Sequence, residues 1–592
     1  MANSLFRKKN ISSIIAEGSD GSHGGGSLKR VLTVKDLTFF GIAAILGAGS
    51  FSSLGGAVFN GGPGVVVLFI ITAIACGFTA LCYSEFASRI PVAGSAYTYA
   101  YASFGELFAW IIGWALIMEY SIGNIYVAYS WSDYFTSFLD KLGQGLNMNL
   151  HIPAYLSTSY MEAKHAVTGG STNADILEAW NTAPVMGGLK IILDLPAIII
   201  AFLITCLVYR GIKESRNFSN LMVWLKMGVV ILIILVGGYL VFSNGLTHNW
   251  TPPDDAGVRS FMPNGFKGVM MAVAGVFFAY IGFDAVSVLA EESKNPQRDL
   301  PRGMILSLVI CTIVYILLTL VLTGAVNYRN FDGVGDPLAF IFEPQNLDIG
   351  WMQFLVAICA VVAMTSVLLV FQMGQPRIWM SMSRDGLLPP VFQKIHTKFK
   401  TPSFATIITG LVVGVPILFT DKTFVLDFTS IATLFAFVLV CGGVLLIPRK
   451  EKVAGRFQLP YINGQFIFPL IIAGAIVLAY SLSKTYFTGM FNMDFSADPD
   501  LASGKKTFMD LAIPNISLIV FWGFAILLAV LAFIKKYSLI PLMGVITCMY
   551  LLTGMSKSNW VWFIGWLVLG AIIYFLYGYR KSKLATAETA TT

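Results

Sequence analysis

Gly41–Gly56 reads GIAAILGAGSFSSLGG, a membrane-length apolar segment with glycines at Gly47 and Gly49. A second interrupted segment, VFFAYIGFDAVSVLAEE at Val276–Glu292, follows five hydrophobic spans later. An unwound helix in lipid leaves backbone N–H and C=O groups without partners, which is tolerated only where they line a protein cavity or hold a ligand. Two broken helices at corresponding places in two halves of a chain point to a transporter's binding site. The pair predicts a secondary transporter.

The composition agrees: of 592 residues 56% are hydrophobic and only 12% charged, and the mean hydropathy is +0.73. These values exclude an ordinary soluble domain. Fourteen segments have membrane length: 36–59, 64–87, 101–139, 192–210, 215–243, 264–290, 303–326, 350–383, 403–420, 426–447, 466–487, 512–534, 539–555 and 560–579. The segment at 539–555 is the shallowest. The segments alternate between 27 Lys/Arg on one side and 11 on the other, with Lys226 inside a span. The positive-inside rule then places both termini in the cytoplasm, in a plasma membrane or a bacterial inner membrane. The net charge of +7 therefore reflects orientation, and no basic–aromatic interleaving suggests nucleic acid.

All seven cysteines fall in apolar spans, which reads as small polarizable packing and not as a disulfide framework. No His/Cys metal spacing, nucleophile elbow or phosphate loop is present, so no enzyme, metal or cofactor is expected. His151 and His165 read as solvated surface residues. The basic N-terminal tail lacks the apolar core of a signal peptide; Gly18–Ser27 reads as a flexible linker. The tails 1–35 and 581–592 are expected to be disordered, and the polar segments 141–190 and 488–507 either cap the outer face or are insertions.

Few ionisable residues lie at membrane depth, where such groups are functional candidates by default. Lys226 is nine residues beyond Asn217, roughly 14 Å along a helix, too deep to snorkel unless the helix begins late. Its candidate partners are Glu119, near the middle of the third span, and Asp284, just after the second break. Glu106 and Asp133 read as interfacial, and Glu85 beside Arg89 as a gate or ion pair. Glu291, Glu292, Lys294, Arg298, Asp299 and Arg302 form a mixed-charge turn. Free N–H groups at Gly47–Gly49, ahead of a half-helix, make a site for a carboxylate. Free C=O groups around Phe278–Ile281 make one for an ammonium. Opposite charges held a few ångströms apart fit a zwitterionic α-amino acid.

Four stretches carry a family resemblance: GIAAILGAGSF (Gly41–Phe51), SRIPVAGSAYTYAY (Ser88–Tyr101), FFAYIGFDAVSVLAEESKNPQRDLP (Phe277–Pro301) and GQPRIWMSMSRDGLLPPVF (Gly374–Phe392). WVWFIGWLVLGAIIYFLYGYRKS (Trp560–Ser582) adds a fifth. The chain resembles the amino acid–polyamine–organocation superfamily, and within it the cationic amino acid transporters, from about Thr33 to Ser582. The resemblance implies an all-α integral membrane protein of LeuT-type 5+5 inverted repeat. A ten-helix core would occupy 36–447 and four further helices 448–580, for scaffold or accessory-partner contacts. It also implies a substrate site formed by Ile45, Gly47, Ala48, Gly49, Phe278, Ala279, Ile281 and Met364. Lys226 matches a lysine that takes the place of a sodium ion in proton-coupled relatives. Lys226, Glu119 and Asp284 are thus the proton-coupling candidates, and sodium is not expected. The run Gly49-Ser50-Phe51-Ser52-Ser53 is more polar than the family pattern. The expected function is proton-coupled symport of an L-α-amino acid, cationic slightly before small neutral. Exchange, uncoupled transport and amino acid sensing are the alternatives.

Overall fold

The computed structural model describes residues 5–9, 32–47, 49–90, 95–169, 173–211, 216–254, 257–287, 293–399, 401–446, 456–496, 501 and 507–585. Ala48, Glu291, Glu292 and the Gly18–Ser27 stretch lie outside them. Among the described residues the only sheet is a two-stranded hairpin, β1 (Val185–Met186) with β2 (Leu189–Lys190). Everything else is helical or irregular, and nine helices are long and apolar enough to cross a membrane.

The first span is α1 (Val34–Ile45), an irregular turn, and α2 (Leu54–Gly61). Thr33 and Asp36 close a capping box at the start of α1, satisfying N–H groups that the helix leaves without partners. After the Gly62–Gly64 turn comes α3 (Val65–Arg89), then the short α4 (Ser95–Ser103) and the long α5 (Glu106–Leu146). The third span does not begin at 101 as expected, because Gly105 takes a φ of 104° and separates α4 from α5. Only glycine adopts that conformation cheaply.

The segment 141–190 is folded. It carries α6 (Tyr160–Gly169), α7 (Ala174–Thr182) and the hairpin, around a small core of Ala163, Ala183 and Ile192 with Tyr160 and Trp180. Then follow α8 (Leu195–Arg210), α9 (Arg216–Ser243), the second broken span as α10 (Gly265–Met271) and α11 (Val273–Phe278), and α12 (Pro296–Ala325). The short α13 (Pro337–Phe340) precedes α14 (Gly350–Arg384), α15 (Ser403–Gly414) and α16 (Lys422–Leu446). The remaining helices are α17 (Gly464–Leu482), α18 (Tyr486–Phe491), α19 (Phe508–Lys535), α20 (Leu539–Leu552) and α21 (Lys557–Ile573). At about 1.5 Å per residue, α20 spans only about 21 Å.

The longest contacts run between α5 and α14 and between α12 and both α3 and α1. α17 and α19 pair with each other and reach the core chiefly through α20. Lipid tails supply no hydrophobic drive for helix association, so close packing and buried polar contacts carry it. The described residues 5–9 and 581–585 dock on one face, and most of both tails lies outside the described residues. The carbonyls of Leu5 and Arg7 accept from Leu107 and Glu106 N–H at 3.2 and 2.9 Å, filling two of the orphan donors at the start of α5. Ser582 and Tyr574 donate to the Glu106 carboxylate at 2.6 and 3.0 Å. Glu106 is thus fully buried and bonded.

Candidate functional site

The two breaks cross each other in the core. α1 ends at Ile45, and Leu46 leaves the helix with ψ 77°. Gly47 N–H turns back onto Ile45 C=O at 2.9 Å, so it is not a free donor. Its carbonyl accepts from Ser50 and Phe51 N–H, both at 3.1 Å. Among the described residues no acceptor faces the Gly49 N–H. Gly49–Ser53 then makes one wide turn into α2, an irregularity frequent at functional sites. In the second break, Tyr280 and Ile281 N–H bond Phe277 and Phe278 C=O at 2.9 and 3.1 Å. Each of these carbonyls retains a second lone pair.

Gly49 makes the crossing possible: a Cβ there would lie 2.5 Å from Ala279 Cα. Tyr315 of α12 ties the breaks together, its hydroxyl lying 2.8 Å from Ile45 C=O and 2.7 Å from Ala279 C=O. A single hydroxyl proton thus stands between two carbonyl oxygens, one from each break. Ser53 does the same one turn on, reaching Gly49 C=O at 2.6 Å and Gly275 C=O at 2.9 Å.

A narrow pocket opens where the breaks cross. Ala44, Ile45, Gly47 and Gly49 line it from the first break, and Phe278 and Ile281 from the second. Val127 of α5 and Val367 and Phe371 of α14 complete the wall. Its side chains are all apolar, and its polar surface is backbone. Of the residues expected at the site, Ile45, Gly47, Gly49, Phe278 and Ile281 face this cavity. Ala279 is buried against Gly49 and Tyr315, and Met364 is buried on α14 outside the lining. Val127, Val367, Phe371 and Tyr315 were not expected. The one signal for Tyr315 is that it is the single aromatic side chain of α12, with a hydroxyl that needs a partner at membrane depth.

Lys226 is 1% exposed. Its ammonium donates to Ser366 Oγ at 2.8 Å and to Ala43 C=O at 3.4 Å, linking α9 to α14 and to the end of α1 beside the cavity. Asp284 is buried beside the backbone N–H groups of Gly282 and Ala285, the latter bonded to Gly282 C=O at 3.1 Å. Glu119 of α5 lies near Asp284, with Thr433 of α16 as a hydrogen-bond neighbour. The structure therefore gathers Asp284 with Glu119, and Lys226 with Ser366 and Ala43. On the face of the termini, Glu85 pairs with Arg89 at 2.6 Å and accepts Leu459 N–H at 2.7 Å.

The opposite face carries a second charged group. Lys422, the first residue of α16, bonds the Asp133 carboxylate of α5 and Gly335 C=O, the latter at 3.3 Å. Two carboxyls of this rim sit outside the spans. Burial and the Asp133 charge push Glu162 up to about 7, with Lys422 acting in the other sense. Burial and the Glu343 charge push Asp336 up to about 8. His165 lies 3.4 Å from Asp421, while His151 is exposed beside Asp140.

Residues 32–500 match the family described as amino acid permease. Branched-chain amino acid permease BcaP of Bacillus subtilis is 36% identical over 584 residues, covering 99% of this chain and 100% of that protein. The methylthioribose transporter of the same organism is 38% identical over 81% of this chain and 93% of its own length. The vacuolar cationic amino acid transporter 2 of Arabidopsis thaliana is 30% identical over 100% of this chain and 94% of its own. With two broken helices crossing at a small cavity inside an all-helical membrane protein, and this match over most of its length, the chain belongs to the amino acid permease family of the amino acid–polyamine–organocation superfamily, and is an amino acid transporter, not an enzyme.

Proposed function

We propose that this protein carries small neutral, apolar L-α-amino acids across the plasma membrane by proton-coupled alternating access, with both termini cytoplasmic. The inverted repeat of 36–447 would supply the moving parts, and 448–580 the scaffold. The observation that carries the substrate class is the cavity wall. Among the described residues no carboxylate lines it, and its side chains are those of Val127, Phe278, Ile281, Val367 and Phe371 beside the aliphatic first break. The resemblance to cationic transporters favours arginine or lysine, but an ammonium or guanidinium head buried against this wall would lack a partner. The name of the Bacillus relative, a branched-chain permease, points the same way.

In this reading the substrate carboxylate meets the Gly49 N–H and the ammonium uses the second lone pairs of carbonyls in the Phe278–Ile281 turn. Lys226 supports proton over sodium coupling, because its ammonium sits between a carbonyl and a hydroxyl, donors that suit a small cation equally well. Loss of its proton removes the charge and one of the three N–H donors, which weakens the hold on α14 and α1 and frees the first break to move. Glu119 and Asp284 are the proposed proton relays.

The test is uptake into proteoliposomes of radiolabelled valine, leucine, arginine and lysine, with an inward proton gradient, a sodium gradient, or neither. Unlabelled methylthioribose serves as a competitor. Concentration of leucine or valine with protons alone is the expected result. Arginine accumulation in preference to leucine overturns the substrate class. Uptake that ignores both gradients but rises with preloaded amino acid makes the protein an exchanger.

A further inference from the structure

We propose that Lys422 is the positioning residue that closes the substrate cavity toward the face opposite the termini, acting through Tyr126 and Phe278. The inference rests on the reading of the cavity as the substrate site. The chain of contacts runs outward from the cavity wall. The Phe278 ring packs edge-on against Tyr126 of α5, centroids 4.6 Å apart. The Tyr126 hydroxyl donates to Ser52 Oγ at 3.4 Å, and the Lys422 ammonium lies 5.8 Å above the Tyr126 ring, a cation–π arrangement. Ser52 Oγ and Lys422 Nζ both donate to Gly335 C=O, at 3.0 and 3.3 Å.

One ammonium therefore joins four elements. Lys422 heads α16, Asp133 and Tyr126 belong to α5, and Gly335 belongs to the α12–α14 connection. Through Ser52 the same carbonyl holds the wide turn of the first break. Gly335 is shaped for the contact, since a Cβ there would lie 2.5 Å from the Asp133 carboxylate. The connection is fastened at further points: Asn173 Nδ2 donates to Gly333 C=O at 3.0 Å, and Leu338 N–H donates to Tyr134 OH of α5 at 3.4 Å. The charges facing Lys422 are Asp133, Glu162 and Asp336. The Lys422 and Asp133 side chains are 14% and 28% exposed, so the latch sits at the border with solvent. Breaking it frees α16, the first break and the connection from one another, and uncovers Tyr126 and Phe278.

The experiment places Cys at Val127 in the cavity wall and labels cells with a membrane-impermeant maleimide from the side opposite the termini. The unsubstituted protein corrects for native thiols. Lys422→Met is expected to raise the labelling rate of Val127→Cys about tenfold, within the range of ordinary coupling between sites. In uptake assays without the reporter, Lys422→Met should lower Vmax about tenfold and move KM less than threefold, because closure follows binding. Lys422→Arg should restore Vmax, since a guanidinium bridges a carboxylate and a carbonyl. If Lys422→Met is not recovered folded, Gly335→Ala serves, as it displaces Asp133 and leaves the lysine in place. Unchanged labelling in a folded, transporting variant overturns the proposal, as does a raised KM at unchanged Vmax. Absence of amino acid uptake in the unsubstituted protein would refute the underlying site reading instead.

Discussion

The crossing of the breaks can be tested by adding one carbon atom at a time. A Cβ at Gly49 would lie 2.5 Å from Ala279 Cα and 3.1 Å from its N. Ordinary contact begins near 3.4 Å, so in Gly49→Ala the two breaks must part by about 0.9 Å, the difference between those distances. Both colliding atoms are backbone, so no rotamer change relieves the clash; overpacking of this kind costs about 1–3 kcal/mol. A displacement near 1 Å between groups that position a substrate costs on the order of 100-fold in turnover. Gly47 is different, because its Cβ would meet Val367 Cγ2 at 2.7 Å, the tip of a side chain. Gly47→Ala should therefore act as a smaller cavity, raising the leucine KM more than the alanine KM, and Val367→Ala should rescue it. No side-chain truncation should rescue Gly49→Ala. The assay is uptake of alanine and leucine by the two single variants and by each combined with Val367→Ala, with thermal unfolding as the fold control. A Gly49→Ala protein of normal affinity and turnover would refute the close crossing of the breaks. Equal rescue of both variants by Val367→Ala would refute the distinction between backbone and side-chain contact.

Three further outcomes follow from contacts on other elements. Lys226→Gln should abolish proton-driven accumulation while leaving counterflow exchange measurable, since Ser366 and Ala43 still meet a hydrogen-bond donor there; accumulation with an unaltered pH profile refutes the coupling role. Tyr315→Phe removes the shared proton from Ala279 and Ile45 C=O; Ile45 C=O keeps the Gly47 N–H, and the lost bond at Ala279 costs about 1–3 kcal/mol. The expected result is a KM increase of roughly tenfold or more, read by uptake titration. Glu162 titrates near 7 in the folded protein, above its usual range, because burial and Asp133 favour its neutral form. A raised carboxyl pKa means that the folded state binds more protons than the unfolded one, so its stability contribution is full at low pH and is lost as pH rises through about 7. Glu162→Gln should flatten the unfolding temperature between pH 5 and pH 8, and an unchanged slope assigns the dependence to other groups.

Whether a feature of this molecule is legible in its sequence depends on whether it is local. The breaks at Gly47–Gly49 and after Phe278 are readable because a glycine pair or an Asp at membrane depth contradicts the helix around it, and lipid permits that contradiction only at a site. Length and apolarity likewise locate the spans to within a few residues. The cavity wall is another matter. Val127, Val367 and Phe371 belong to helices whose every face is apolar, so periodicity cannot say which side chain turns inward; only the packing of α5 against α14 does. Met364 lies one turn from Val367 on the same helix yet outside the pocket lining. The docking of residues 5–9 is not legible in their own sequence because the need it meets belongs to α5: the orphan donors of Glu106 and Leu107 take the Leu5 and Arg7 carbonyls, and the Glu106 carboxylate takes the Arg7 guanidinium. Lys226 shows both sides. Its depth marks it as consequential from sequence alone, while its attachment to α14 and the end of α1 emerges only in three dimensions. It is that attachment that turns an expensive buried charge into a means of holding the first break.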